Sequence, residues 1–171
     1  MNRNLVILLA SFLVLVPLQI LVFEHLALFD RGFCFVYVLV LLLLPIELSK
    51  IQGMLAAMII GMLVDLFAGT LGIHAASSVF LMFVKPYWLQ VVTPRNGFEV
   101  NTLPALSSYG LPWFLIYAMP LIILHAAAVF FLEAAGSGLF WITLSKVGLT
   151  ALISLVFMVT IQYLFYPKGK S

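Results

Sequence analysis

Gly53-Met-Leu-Ala-Ala57-Met-Ile-Ile-Gly61-Met-Leu-Val-Asp65-Leu-Phe-Ala-Gly69-Thr-Leu-Gly72 decides the fold. The run is apolar for fifteen residues beyond Gly53 except for one acid, Asp65. It shows none of the alternation of a half-buried strand. Gly53, Ala57 and Gly61 recur every four residues, which places them in one row on a helix face. Small residues at this interval let two helix backbones approach closely, and in lipid such contacts are a principal source of association. The glycines at 69 and 72 then end the helix in a tight turn.

The same character extends along the chain in both directions. Of the 171 residues, 65% are hydrophobic and 8% charged, with a mean hydropathy of +1.24. A soluble domain of this size carries about a quarter charged residues, so this chain lacks the polar groups to cover a water-facing surface. The apolar residues fall into six blocks, at about 5–23, 33–46, 51–67, 73–84, 112–132 and 140–166. A bilayer crossing needs about 20 apolar residues, so the second block is short and must either thin the bilayer locally or be covered by neighbouring helices. The blocks from the second to the fourth form a tight run of short elements. The expectation is an all-α integral membrane protein of six short transmembrane helices in a single domain. The first block, with Arg3 ahead of it, imitates a signal peptide. It is too long for one and meets Glu24-His25 instead of a cleavage site, so it reads as an uncleaved helix, interrupted near Pro17.

Charge sets the orientation. With both termini cytoplasmic, Arg3, Lys50, Lys85, Arg95, Lys168 and Lys170 lie inside and Arg31 and Lys146 outside, six against two, as the positive-inside rule requires. Residues 85–111 are then a cytoplasmic loop. Lys85-Pro-Tyr-Trp88 reads as an interfacial anchor that ends the fourth helix, and Pro94-Arg95-Asn-Gly-Phe98 as a candidate contact for a cytoplasmic partner through Arg95 and Phe98. A net charge of +2 gives no reason to expect nucleic acid, and membrane lipid is the evident surroundings. No internal repeat is visible, which disfavours an inverted-repeat transporter.

The reactive residues form no recognisable centre. Cys34 is the single cysteine, and His25, His74 and His125 have no second ligand three or four residues away. Each histidine therefore reads as a lone hydrogen-bonded residue, and neither a metal nor a cofactor is expected. Gly169-Lys-Ser171 has no preceding glycine loop and is a coincidental echo of a phosphate-binding motif. Glu47 and Lys50 read as a surface pair. Asp65 is the informative acid, because a carboxylate at that depth needs hydrogen bonds, a partner or a proton. Three roles stay open for it: capping the following segment by accepting from amides around 69–72, contact with a partner, or proton or solute handling.

The ordered set of spaced glycines, acid, small-residue turn and Leu-Gly in 53–72 resembles the signature region of the MreD family of rod shape-determining membrane proteins, with the likeness strongest over about residues 33–90. The resemblance implies a non-enzymatic subunit of the lateral cell-wall synthesis complex (elongasome) in the bacterial inner membrane. Its implied partner is MreC, a single-span protein, with MreB, RodA and a penicillin-binding transpeptidase in the wider complex. It also implies a six-helix fold similar to the substrate-binding subunits of energy-coupling-factor vitamin transporters. The family-like positions are Gly61, Asp65, Gly69 and Gly72, in a structural or interface role, and with Gly53 and Ala57 they form the candidate partner face. The polar, proline-broken stretch from Gln90 to Leu111 departs from the pattern. The alternative is a vitamin or small-solute importer subunit. That class carries an A-x-x-x-A pair on the first helix, and here Ala10 is followed four residues later by Val14.

Overall fold

The computed structural model describes residues 3–23, 26, 31–100, 102–135 and 140–165. It contains α1 (Arg3–Leu21), α2 (Val38–Leu43), α3 (Lys50–Ala68), α4 (Ile73–Val91), α5 (Leu106–Tyr109), α6 (Leu111–Glu133) and α7 (Phe140–Phe165). Among the described residues, four helices are long and apolar enough to cross a membrane: Asn4–Leu21, α3, α6 and α7. The chain is an all-α, multi-pass membrane protein. Its outward residues say the same: beyond the first turn of α3 they include Leu55, Ile59, Met62, Leu66 and Phe67, a surface that lipid solvates well. The charges expected at His25, Asp30, Lys168 and Lys170 fall outside the described residues.

Local chemistry sets most boundaries. Ser49 starts α3 with a capping box: its hydroxyl accepts from the Gln52 amide, and the Gln52 side chain accepts from the Ser49 amide. Gly69 closes α3 at φ 68°, where a side chain would be disfavoured, and the Asp65 carbonyl accepts from the amides of Gly69 and Thr70. α1 is continuous through Pro17, against the expected interruption.

Two other elements differ from expectation. α4 runs on through Pro86 to Val91, seven residues past the expected end at Val84. Its far end is tied down from α6: the Trp88 indole donates to the Tyr117 carbonyl (3.1 Å), and the Trp113 indole donates to the Val92 carbonyl (2.8 Å). Proline is tolerated in a membrane helix whose neighbours supply such partners. The second apolar block is not a full helix. Only six residues, α2, are α-helical, and they are wholly buried. Pro45 ends them by holding Leu44 extended, at φ −54° and ψ 138°.

The most extensive packing joins α3 to α4, α6 to α7 and α4 to α6. The second block threads through these pairs. Tyr37 lies beside His74 near the start of α4, and Leu41 and Leu44 lie beside Lys85 further along it, so the block runs parallel to α4.

Candidate functional site

The small-residue face of α3 is filled by α4 of the same chain. A Cβ at Gly61 would come within 2.7 Å of the Ala75 nitrogen and 2.8 Å of the His74 oxygen, and one at Gly53 within 2.8 Å of the Met82 Cε. Ala57 between them is fully buried. The row of glycines therefore serves an internal contact, and a partner helix has no access to it. Gly69 and Gly72, at φ 68° and 83°, have open space around them and serve the turn.

Asp65 completes that turn. Its Oδ1 accepts from the Thr70 hydroxyl (2.5 Å) and the His74 amide (3.0 Å), and its Oδ2 from the Ala75 amide (2.8 Å). The acid thus caps the start of α4, one turn beyond the expected amides. A carboxylate satisfies helix N-terminal N–H groups and complements the helix dipole there.

The polar centre of the molecule lies on the second block, where the sequence offered no motif. The buried Tyr37 hydroxyl is 2.8 Å from His125 Nε2, 3.2 Å from His74 Nδ1 and 3.3 Å from Ser78 Oγ. Read singly, each histidine is a lone polar residue; the fold brings two of the three onto one hydroxyl. A hydroxyl has one proton to give, so its other neighbours must donate to it or share it. His125 Nδ1 is buried without a partner. The arrangement with least unmet need has His125 donating from Nε2, which leaves Nδ1 as a bare acceptor rather than an orphaned donor. The Phe35 ring stands edge-on to both imidazoles, with centroids 5.4 and 5.5 Å away.

Further polar contacts hold the two ends of the block. At one end, Thr150 and Ser154, one turn apart on α7, accept from the amides of Phe33 (3.0 Å) and Phe35 (2.9 Å). At the other, Lys85 Nζ donates to the carbonyls of Leu41 (3.0 Å) and Leu44 (2.9 Å), and the Tyr117 hydroxyl donates to that of Leu42 (2.8 Å). This corrects the reading of Lys85 as a snorkelling anchor: it is 2% exposed. A six-residue helix leaves its terminal amides and carbonyls unpaired, and in hydrocarbon each must be met by protein. An ammonium and a phenol meet the carbonyl end, as the negative end of a helix dipole favours.

The candidate cytoplasmic contact divides. Arg95 is exposed. Phe98 is half-buried, with its ring edge-on to Tyr109 and Trp113, centroids 5.6 and 6.0 Å away, so its face is largely occupied. Lys50 lies 4.1 Å above the Tyr87 ring. Among the described residues, no three His, Cys, Asp or Glu side chains cluster as metal ligands would. An apolar groove of about 290 Å³ opens on the side of the molecule between α1 and α7, lined by Ala10, Ser11, Val14, Leu18, Ile161 and Phe165 among others.

The chain matches no known protein family, no curated protein and no solved structure. Its residues and geometry carry the functional reading.

Proposed function

We propose that the chain is a non-catalytic scaffold subunit of the MreD type, which lodges the single membrane helix of an MreC-like partner and supports lateral peptidoglycan synthesis and rod shape. MreB, RodA and a penicillin-binding transpeptidase form the wider complex. The observation that carries the reading is the lateral groove between α1 and α7. It lies among lipid-facing residues, and the small, exposed Ala10 on its wall allows a second backbone to come close. With the Gly53–Gly61 row closed by α4, the partner site moves from α3 to this groove.

In this reading the membrane is the bacterial inner membrane and the chain crosses it six times. The second block is an interrupted crossing whose ends are met by side chains, and α4 is the fourth. Second and fourth crossings must run in the same direction, and the parallel course of the block beside α4 supports that count. Removing buried Lys85 from the charge count leaves Arg3, Lys50, Arg95, Lys168 and Lys170 against Arg31 and Lys146, five to two, still in favour of cytoplasmic termini. The fold is then of the kind found in the substrate-binding subunits of energy-coupling-factor transporters, put to a different use.

Native mass spectrometry of the chain co-expressed with the MreC-like protein of its own genome tests this. The expected result is a complex that Ala10→Leu and Val14→Phe, both at exposed positions of the groove wall, disrupt without lowering the melting temperature. A chain that emerges alone with a few hundred daltons of bound solute would overturn the scaffold and favour an importer subunit. A complex insensitive to both substitutions would remove the groove from the reading.

A further inference from the structure

Residues 33–37 pass into the protein interior without forming α-helix, and their own sequence gives no reason for it. Phe33-Cys-Phe-Val-Tyr37 contains neither proline nor glycine, yet α2 begins only at Val38. What delays the helix is α7. The Thr150 and Ser154 hydroxyls take the amides of Phe33 and Phe35, and Gly32 packs so tightly on the same face that a Cβ there would come within 2.6 Å of Ile153. The Lys146 ammonium, also from α7, lies 5.9 Å from the Phe33 ring.

The apolar side chains of this stretch do little to choose its conformation. Cys34, Phe35 and Val36 are buried, but lipid tails solvate such groups about as well as protein does. The backbone polar groups decide. Once the two hydroxyls withdraw, the stretch can meet those groups within hydrocarbon by becoming helix, which moves the unpaired amides outward toward water. Tyr37 is already helical, at φ −62° and ψ −24°, so the helix can propagate backward from it.

We propose that residues 33–35 are a two-state latch, held out of α-helix by Thr150 and Ser154 and converting to helix continuous with α2 when α7 shifts. Extended residues rise ~3.3 Å each and helical ones ~1.5 Å, so converting 33–35 alone shortens the path by about 5 Å. That draws Arg31 and Gly32 toward the interior while Tyr37 stays hooked to His74 and His125. A displacement of α7 is thereby reported at the loop ahead of the second block. The inference does not depend on the identity of any partner.

Cys34, the chain's single cysteine and 2% exposed, is the reporter. In lipid nanodiscs, Thr150→Val is expected to raise the rate of Cys34 modification by N-ethylmaleimide at least tenfold. Ser145→Ala, which removes an exposed hydroxyl bonded to the Ile142 carbonyl on the same helix, leaves the rate unchanged. Equal rates for Thr150→Val and the unsubstituted chain overturn the latch. Hydrogen exchange on the unsubstituted chain is a second test that no folding defect can spoil. Amides 33–35 are expected to exchange together, at least tenfold faster than those of 57–64 in α3, and equal protection of the two stretches overturns the proposal.

Discussion

Lys85→Met isolates the brace at the end of α2. Methionine keeps much of the length of lysine but removes both donors, which leaves the Leu41 and Leu44 carbonyls without Nζ. A hydrogen bond to a charged group contributes about 1.5–3 kcal/mol, and a buried group stripped of its partner costs about 1–3 kcal/mol. The Leu44 carbonyl is only partly buried, and the Leu41 carbonyl keeps a long bond from the Leu44 amide at 3.4 Å. Both facts place the loss toward the lower end. Against it stands the cost of burying an ammonium, which the substitution relieves. The loss outweighs the relief because only one side of the contact is removed and both carbonyls stay behind. The expected net effect is a destabilisation of about 2–4 kcal/mol. For a chain of this size that lowers the melting temperature by about 5–10 °C. Thermal unfolding of the purified protein in mild detergent, followed by intrinsic fluorescence, measures it. Lys85→Arg, which keeps its donors, should fall between the two. A Lys85→Met protein as stable as the unsubstituted chain, or more so, would refute the assignment of Lys85 as the carbonyl brace.

Three further outcomes can be read with the same thermal assay. Gly61→Ala should destabilise by about 3 kcal/mol, because its Cβ meets α4 backbone that has nowhere to move; Gly53→Ala, which meets the flexible end of Met82, should cost less than 1 kcal/mol, and Gly148→Ala, facing open space, should be neutral or slightly stabilising. Asp65→Asn should cost about 1–3 kcal/mol, since an amide nitrogen would replace one acceptor of the cap on α4, whereas Asp65→Glu should not restore it. Tyr37→Phe, nearly isosteric, should cost about 2–3 kcal/mol by taking the shared hydroxyl from His74, Ser78 and His125, and adding His125→Phe should cost less than the sum of the two single changes.

The charge and apolar pattern of this chain settles its solvent. Blocks of apolar residues with so few charges leave lipid as the surroundings, and the helical period follows because a spanning segment must satisfy its own backbone. The four-residue spacing of Gly53, Ala57 and Gly61 likewise shows a close helix contact, since only small side chains permit it. Which helix makes that contact is not in the spacing, and the fold gives the place to α4. Asp65 is marked by its depth alone; that it caps α4 rather than meeting a partner depends on where the Gly69–Gly72 turn directs the next helix.

Tyr37, Lys85, Tyr117, Thr150 and Ser154 were beyond reach of the pattern. They lie far apart in sequence, and each is an ordinary polar residue in an apolar run. Only the threading of the second block between helix pairs brings them together. A motif is visible when its residues share one element, as Gly61 and Asp65 do. A network that satisfies the ends of an interrupted helix draws on α4, α6 and α7 at once, and that requirement arises only after tertiary packing has interrupted the helix.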